Sequence, residues 1–375
     1  MDRKARLPTL DSMRAIAALG VICWHFRGYF FAEPMKIVLE PFYRNGGVMV
    51  DFFFVLSGFV LARAYWNDDR RYDVISNLRQ RIARLYPLHF VMLLAVVAIQ
   101  WLAPADNIIL NKILQNNNAY NFILNLVLMQ TAGFRQGGAS FNHPSWSVST
   151  EFLVNIAFML VITLRRRIAI FAALMLAILF IVPLNHQGIF SLGVVFGFVP
   201  GPVARTCIGF FIGTLTYRAY AKHLESRIDK YPAIANGLFV ALCLVLSWRL
   251  YTRTMNGHNS DILVMFIGFP CLIVLALRSS WAAKYLSIRP MIFLGERSYS
   301  IYLVHFPILL SGMVLLDRFK LSIDPASPLV LMSVFLVVIG VATITYRYIE
   351  LPGKRLLTPR KAAPIAIEAT TKASA

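Results

Sequence analysis

Apolar runs of about 17–22 residues recur along this chain, and they limit the folds open to it more than any single motif. Runs of that length read as spanning helices rather than buried core helices. Hydrophobic residues make up 58% of the 375 residues. The segments expected to span are approximately 10–30, 47–66, 85–103, 144–164, 167–183, 203–219, 232–250, 261–278, 292–314 and 327–347. Segments 120–131 and 188–200 are apolar but short, and read as re-entrant, interfacial or extensions of their neighbours. The expected fold is all-α: a polytopic transmembrane helical bundle of about ten spans, or eleven if one short segment crosses. No loop is long enough for a separate catalytic domain of ordinary size. Residues 1–357 should form a single transmembrane domain, with chemistry in or at the lipid bilayer.

The formal net charge is +19, but the basic residues are spread between the spans, so nucleic acid is not the expected partner. Alternate connections carry the charge. One set holds Arg3, Lys4, Arg6, then Arg70, Arg71, Arg79, Arg81, Arg84, then Arg165, Arg166, Arg167. The same side continues with Arg218, Lys222, Arg227, Lys230, then Arg278, Lys284, Arg289, then Lys354, Arg355, Arg360, Lys361. The longest opposite connection, about 104–143, has only Lys112 and Arg135. Both termini should therefore be cytoplasmic. The tail, residues 358–375, is rich in Ala, Thr, Lys and Pro and reads as disordered. Cys23, Cys207, Cys243 and Cys271 fall in apolar runs without metal spacing and read as small hydrophobes. No metal is expected. The basic start and first apolar stretch resemble a signal peptide, but Arg14 interrupts the run, so the segment reads as a retained first helix.

Five constellations are candidates for chemistry. In the first span, LDSMRAIAALGVICWHF, Arg14 and His25 are eleven positions apart. That is close to three helical turns, so both side chains point the same way, about 16 Å apart along the axis. Ionisable groups at such depth are costly and by default mark a functional site. His25 could move a proton to and from a hydroxyl; a buried structural histidine and a snorkelling arginine are the plainer alternative. In GGVMVDFFFVLSGFVLARAY, Asp51 could orient a histidine or bind a sugar hydroxyl, while Ser57-Gly58 reads mainly as small-residue packing.

In NLRQRIARLYPLHF, Arg81 and Arg84 share a helix face. Guanidinium forks suit phosphate, but on composition alone ordinary topology-setting charge is the better explanation. In HPSWSVSTEFLVN, Trp146 begins a span at the interface. Glu151 either pairs with His25 or an acceptor hydroxyl, or serves the helix start. In GERSYSIYLVHFPILL, His305 lies beside Tyr302 and just before Pro307. It either lines a cavity or bonds a carbonyl that the proline leaves free.

The order of these patterns resembles the acyltransferase-3 family of bacterial integral-membrane O-acyltransferases, in its stand-alone form. The resemblance runs from Leu10 to about Arg355. It rests on R-x10-H at Arg14/His25, D-F-F-F-V-L-S-G-F at 51–59, R-x-x-R at Arg81/Arg84, W-S-V-S-x-E at 146–151, S-Y-S-I-Y-L-V-H at 298–305 and Y-I-E-L-P at 348–352. It implies about ten helices in the inner (cytoplasmic) membrane of a bacterium. It also implies an acyl-CoA donor, expected to be acetyl-CoA, and a carbohydrate acceptor on a cell-surface glycan such as exopolysaccharide, lipopolysaccharide or lipo-oligosaccharide. By that resemblance His25 is the catalytic histidine, Arg14 assists the donor or the site geometry, and Arg81 and Arg84 handle the donor. Asp51 or Glu151 is expected to orient the imidazole, with Ser57, Trp146, Tyr302 and His305 as further site candidates. Direct attack by the acceptor hydroxyl and an acetyl-histidine intermediate are both open. A transporter of a glycan or small acyl metabolite is the alternative; it would show an inverted repeat with paired broken helices, and none is seen. Nothing in the sequence speaks to the oligomeric state.

Overall fold

A computed structural model describes residues 7–66, 73–135, 137–188, 193–224, 232–252 and 263–358. Of the residues that set the expected orientation, Arg3, Lys4, Arg6, Arg70, Arg71, Arg227, Lys230, Arg360 and Lys361 lie outside this set, as does the tail after Thr358. The described chain is almost wholly helical. The only sheet among the described residues is a hairpin, β1 (Val194–Val195) against β2 (Val199–Pro200), antiparallel with Val195 opposite Val199.

Each segment expected to span falls on helix, with 292–314 divided between two. These helices are α1 (Pro8–Phe30), α3 (Met49–Tyr65), α4 (Val74–Leu102), α7 (Trp146–Val161), α8 (Arg166–Ile178) and α10 (Gly201–Ala219). They continue with α11 (Pro232–Thr252), α12 (Phe269–Arg278), α15 (Ser298–Arg318) and α16 (Pro328–Thr345). Between them lie α2 (Lys36–Asn45), α5 (Ile108–Leu114), α6 (Ala119–Leu126), α9 (Ile181–Gln187), α13 (Ser280–Leu286) and α14 (Arg289–Glu296), and α17 (Leu351–Leu357) closes the described chain.

Local chemistry explains several boundaries. The Asp73 side chain accepts from the Ser76 amide and caps α4. Asn118 caps α6 in the same way. Proline occupies the first turn of α1, α10 and α16, where its missing N–H costs nothing.

The span count is narrower than expected on length and apolarity alone. Six helices pass that test, or seven if the pair Phe266–Arg278 and Ser280–Leu286, bent by 87°, is one span. α1, α7 and α10 fall outside because they carry Asp11, Arg14, Glu151 and Arg205, or are short; α7 has 16 residues. Among the described residues neither short apolar segment forms an eleventh span; residues 189–192 of the second lie outside the described set. α6 has 8 residues, about 12 Å of helix, and the other segment ends in the β hairpin. The expected span 292–314 is broken at Arg297, between α14 and α15.

The core forms where polar helices are shielded by apolar ones. α1 packs against α14 and α15, and α3 packs along α10. The α3–α10 contact is backbone on backbone: a Cβ on Gly58 would run into the Phe210 carbonyl, and one on Gly213 into the Val55 carbonyl. The small-residue reading of Gly58 therefore holds. Its consequence is electrostatic, because α3 and α10 each bring a charged residue into the interior, Asp51 and Arg205, and these pair with each other.

Candidate active site

Arg14 and His25 take up opposite ends of the interior, as their spacing on α1 requires. His25 is partly exposed. Its Nδ1 lies 3.1 Å from the Val21 carbonyl oxygen and 3.1 Å from Nε2 of His305. A carbonyl only accepts, so Nδ1 of His25 carries the hydrogen and Nε2 carries the lone pair. Nε2 of His305 is then an acceptor for the same N–H. The His25 ring also meets Trp24 edge-on at 4.7 Å and Tyr29 in a stack at 6.0 Å.

His305 is fully buried, and it does not serve the carbonyl that the proline frees. The carbonyl that Pro307 leaves without its helical donor is that of Leu303. Asn142 supplies the missing donor, through Nδ2 at 3.0 Å. His305 is thereby left to face His25, and its Nδ1 has no hydrogen-bond partner among the described residues.

Neither carboxylate orients His25, and here the sequence expectation is corrected. Asp51 forms a two-pronged ion pair with Arg205: Nε donates to Oδ1 at 2.6 Å and Nη2 to Oδ2 at 2.7 Å. Arg205 also donates to the Gly47 carbonyl at 3.1 Å, and its guanidinium lies over Trp146, 5.5 Å from the ring centre. Asp51 is 1% and Arg205 5% exposed. A charge buried that deeply takes the nearest opposite charge, and Arg205 sits directly across the α3–α10 contact. Glu151 is likewise taken. Its Oε1 accepts from Ser57 Oγ at 2.8 Å and from Arg81 at 3.0 Å. Ser57 is thus more than packing; its hydroxyl ties α3 to α7.

Arg14, Ser57, Arg84, Glu151, Tyr299 and Tyr302 line one cleft of about 650 Å³, its open mouth included. Arg14 is held by Asp11 at 3.0 Å. Arg81 and Arg84 diverge in role: Arg84 faces the cleft, whereas Arg81 is buried on Glu151. Such a cleft, with two guanidinium groups among aromatic and apolar walls, suits an anionic ligand with a less polar part. Tyr302 lines the cleft and also adjoins the histidine pair. The Tyr302 hydroxyl donates to the Pro144 carbonyl at 2.9 Å and meets Ser147 Oγ at 2.8 Å. Its ring lies 5.8 Å from His305, so the cleft and the histidine pair adjoin through Tyr302.

Sequence reasoning did not single out Arg205, Tyr29, Asn142 or His143. Arg205 carries a clear signal, an arginine inside the apolar segment 203–219. Tyr29 lies one turn beyond His25, and its hydroxyl meets Nδ1 of His143 at 3.0 Å. Nε2 of His143 lies 3.2 Å from the Ile113 carbonyl and donates to it, so Tyr29 is the donor to Nδ1. Asn142 and His143 lie in a loop, where no periodicity points to their partners. Among the described residues no group of His, Cys, Asp and Glu converges in a way that could hold a metal ion.

Two relatives resemble the chain over different extents. Acyltransferase MdmB of Streptomyces mycarofaciens is 33% identical over 173 residues, which are 45% of this chain and 42% of MdmB. O-acetyltransferase OatA of Staphylococcus aureus is 24% identical over 372 residues, 93% of this chain and 57% of OatA. The chain spans about half the length of these curated relatives. No solved structure matches it. The model of the acyltransferase domain family matches residues 7–347, which is most of the chain and includes every helix of the site. The protein therefore belongs to the acyltransferase-3 family.

Proposed function

We propose that this chain is a bacterial inner-membrane O-acetyltransferase that moves an acetyl group from cytoplasmic acetyl-CoA to a hydroxyl of a cell-surface glycan. The observation that carries this reading is the setting of His25: an imidazole whose Nδ1–H is fixed by the Val21 carbonyl and by His305, leaving Nε2 as a base. Arg14 and Arg84 in the adjoining cleft would hold the phosphates of the donor, with the thioester directed past Tyr302 toward His25. Residues 7–357 act as one transmembrane unit with both termini in the cytoplasm. In this arrangement α1, α7, α10 and the bent α12–α13 pair cross with the six apolar helices, making ten crossings; their polar side chains are sheltered by neighbouring helices.

In the reaction His25 Nε2 takes the proton of the acceptor hydroxyl as its oxygen attacks the thioester carbonyl. The C–S bond breaks, the sulfur leaves as thiolate, and His25 returns the proton to it. The imidazolium that forms in between keeps its Nδ1–H bonded to Val21 and His305, both of which accept. Asp51 and Arg205 act at a distance, by holding α3, α7 and α10 in register.

The test is acetyl transfer by the purified full-length protein in nanodiscs, supplied with isotopically labelled acetyl-CoA and glycan from a strain lacking the gene. Labelled ester on the glycan, absent with His25→Ala, is the expected result. Donor consumption with no ester on any glycan fraction would refute the reading.

A further inference from the structure

At the far end of α1 from the Arg14 cleft, a second recess opens beside Tyr29 and His143. It is small, about 210 Å³ with its mouth, and its walls include Gln130, Arg135, Ser140, His143, Ser145 and Trp146. Nearly all of these are polar or aromatic, in contrast to the hydrocarbon-lined groove between α1 and α11.

Two groups in this recess lack the partners their chemistry calls for. Gln130 is 5% exposed. Its Nε2 donates to the Ser145 carbonyl at 3.1 Å and to Ser145 Oγ at 3.2 Å, which fixes the amide the other way round for its oxygen. That oxygen is buried and accepts no hydrogen bond among the described residues. A buried acceptor left without a donor keeps its full desolvation penalty. Arg135 is the second group. It is only partly exposed, in the loop before α7, and no carboxylate is paired with it among the described residues. Burial pushes its guanidinium below the ordinary arginine value, and no neighbouring anion offsets that cost.

The recess is coupled to the reacting histidine. His143 lines it and accepts the Tyr29 hydroxyl, and Tyr29 stacks on His25. Trp146 also lines the recess. A hydroxyl donating to Gln130 Oε1 and an anion on Arg135 would satisfy both open groups at once.

We infer that this recess is the acceptor subsite, and that it selects a sugar carrying a carboxylate or phosphate near the hydroxyl that is acylated. The inference rests on the proposed transferase reading, but the site is testable by binding alone. The full-length protein in nanodiscs is titrated with three probes, methyl β-glucuronoside, methyl glucoside 6-phosphate and methyl β-glucoside, followed by saturation-transfer NMR. At least one anionic probe should bind about tenfold or more tightly than the neutral one, and the tighter of the two identifies the anion. Arg135→Gln should reduce the preference to within about twofold, and Arg135→Lys should keep part of it. Gln130→Leu should weaken all three probes alike.

Equal affinity for charged and neutral probes, a preference that survives Arg135→Gln, or no saturation of any probe would each overturn the inference. Acetyl transfer to the same probes is measured in parallel. Transfer to neutral and charged probes at equal rates overturns the charge selection and leaves the transferase reading standing. Charge-selective binding with no acetyl transfer supports the subsite and counts against acetyl-CoA chemistry.

Discussion

Nε2 of His305 lies 3.1 Å from Nδ1 of His25, although 280 positions separate them in the chain. The contact ties α15 to α1 at the proposed base, and no carboxylate takes part in it. An imidazolium formed on His25 is therefore stabilised by a neutral acceptor rather than by an anion, which leaves His305 as a positioning residue.

His305→Ala should lower kcat by about 10- to 100-fold, the range known for losing the partner that orients a metal-ligating histidine. KM for the donor should change little. His305→Gln retains an acceptor and should recover part of the loss. The check is steady-state kinetics of both variants with the donor varied; equal damage by Ala and Gln would point to packing instead of orientation.

Arg84 and Arg81 should separate experimentally. Arg84 faces the cleft, so Arg84→Ala should raise KM for acetyl-CoA by about 10-fold or more, with unchanged thermal stability. Arg84→Lys should fall between, because an ammonium cannot form the two-pronged contact. Arg81→Ala strands Glu151 and should lower thermal stability as well as activity. Calorimetric titration with acetyl-CoA and melting curves in detergent distinguish the two patterns.

The Asp51–Arg205 pair is structural in this account. Removing either partner leaves a buried charge and should destabilise the fold by about 3–5 kcal/mol. The double variant Asp51→Ala/Arg205→Ala should be more stable than the sum of the single changes suggests. A double-mutant cycle on thermal stability checks this; strictly additive effects would mean that the pair contributes nothing by being paired.

Topology is tested by impermeant thiol labelling in a background without the four native cysteines. Lys112→Cys should label in intact spheroplasts, and Lys4→Cys only after the membrane is opened. The reverse pattern would invert the protein and place the Arg14 cleft outside.

Much of the helix layout was legible in the sequence, because a run of apolar residues long enough to cross a bilayer has few other fates. Side-chain partners were not. Spacing on α1 says that Arg14 and His25 share a face, yet nothing in the spacing says that α15 presents His305 to that face. Pro307 signals a carbonyl without its donor, but the donor comes from Asn142 in a loop with no periodicity. Asp51 and Glu151 read as catalytic carboxylates because their charges are costly. The structure answers that cost with Arg205 and Arg81, and the Arg205 partner depends on the close α3–α10 approach that Gly58 and Gly213 permit. The break at Arg297 does have a local marker, the polar stretch Gly295-Glu296-Arg297-Ser298 inside the apolar run, which the count over the whole segment passes over.

The central claim is that His25 is the base for acyl transfer. It is tested most directly by O-acetyl content of surface glycan, measured by mass spectrometry in a deletion strain carrying His25→Ala at wild-type membrane abundance. The acetyl ester should be lost, with a residual rate at least about a thousandfold below wild type in purified protein. Wild-type acetylation by the variant would contradict it.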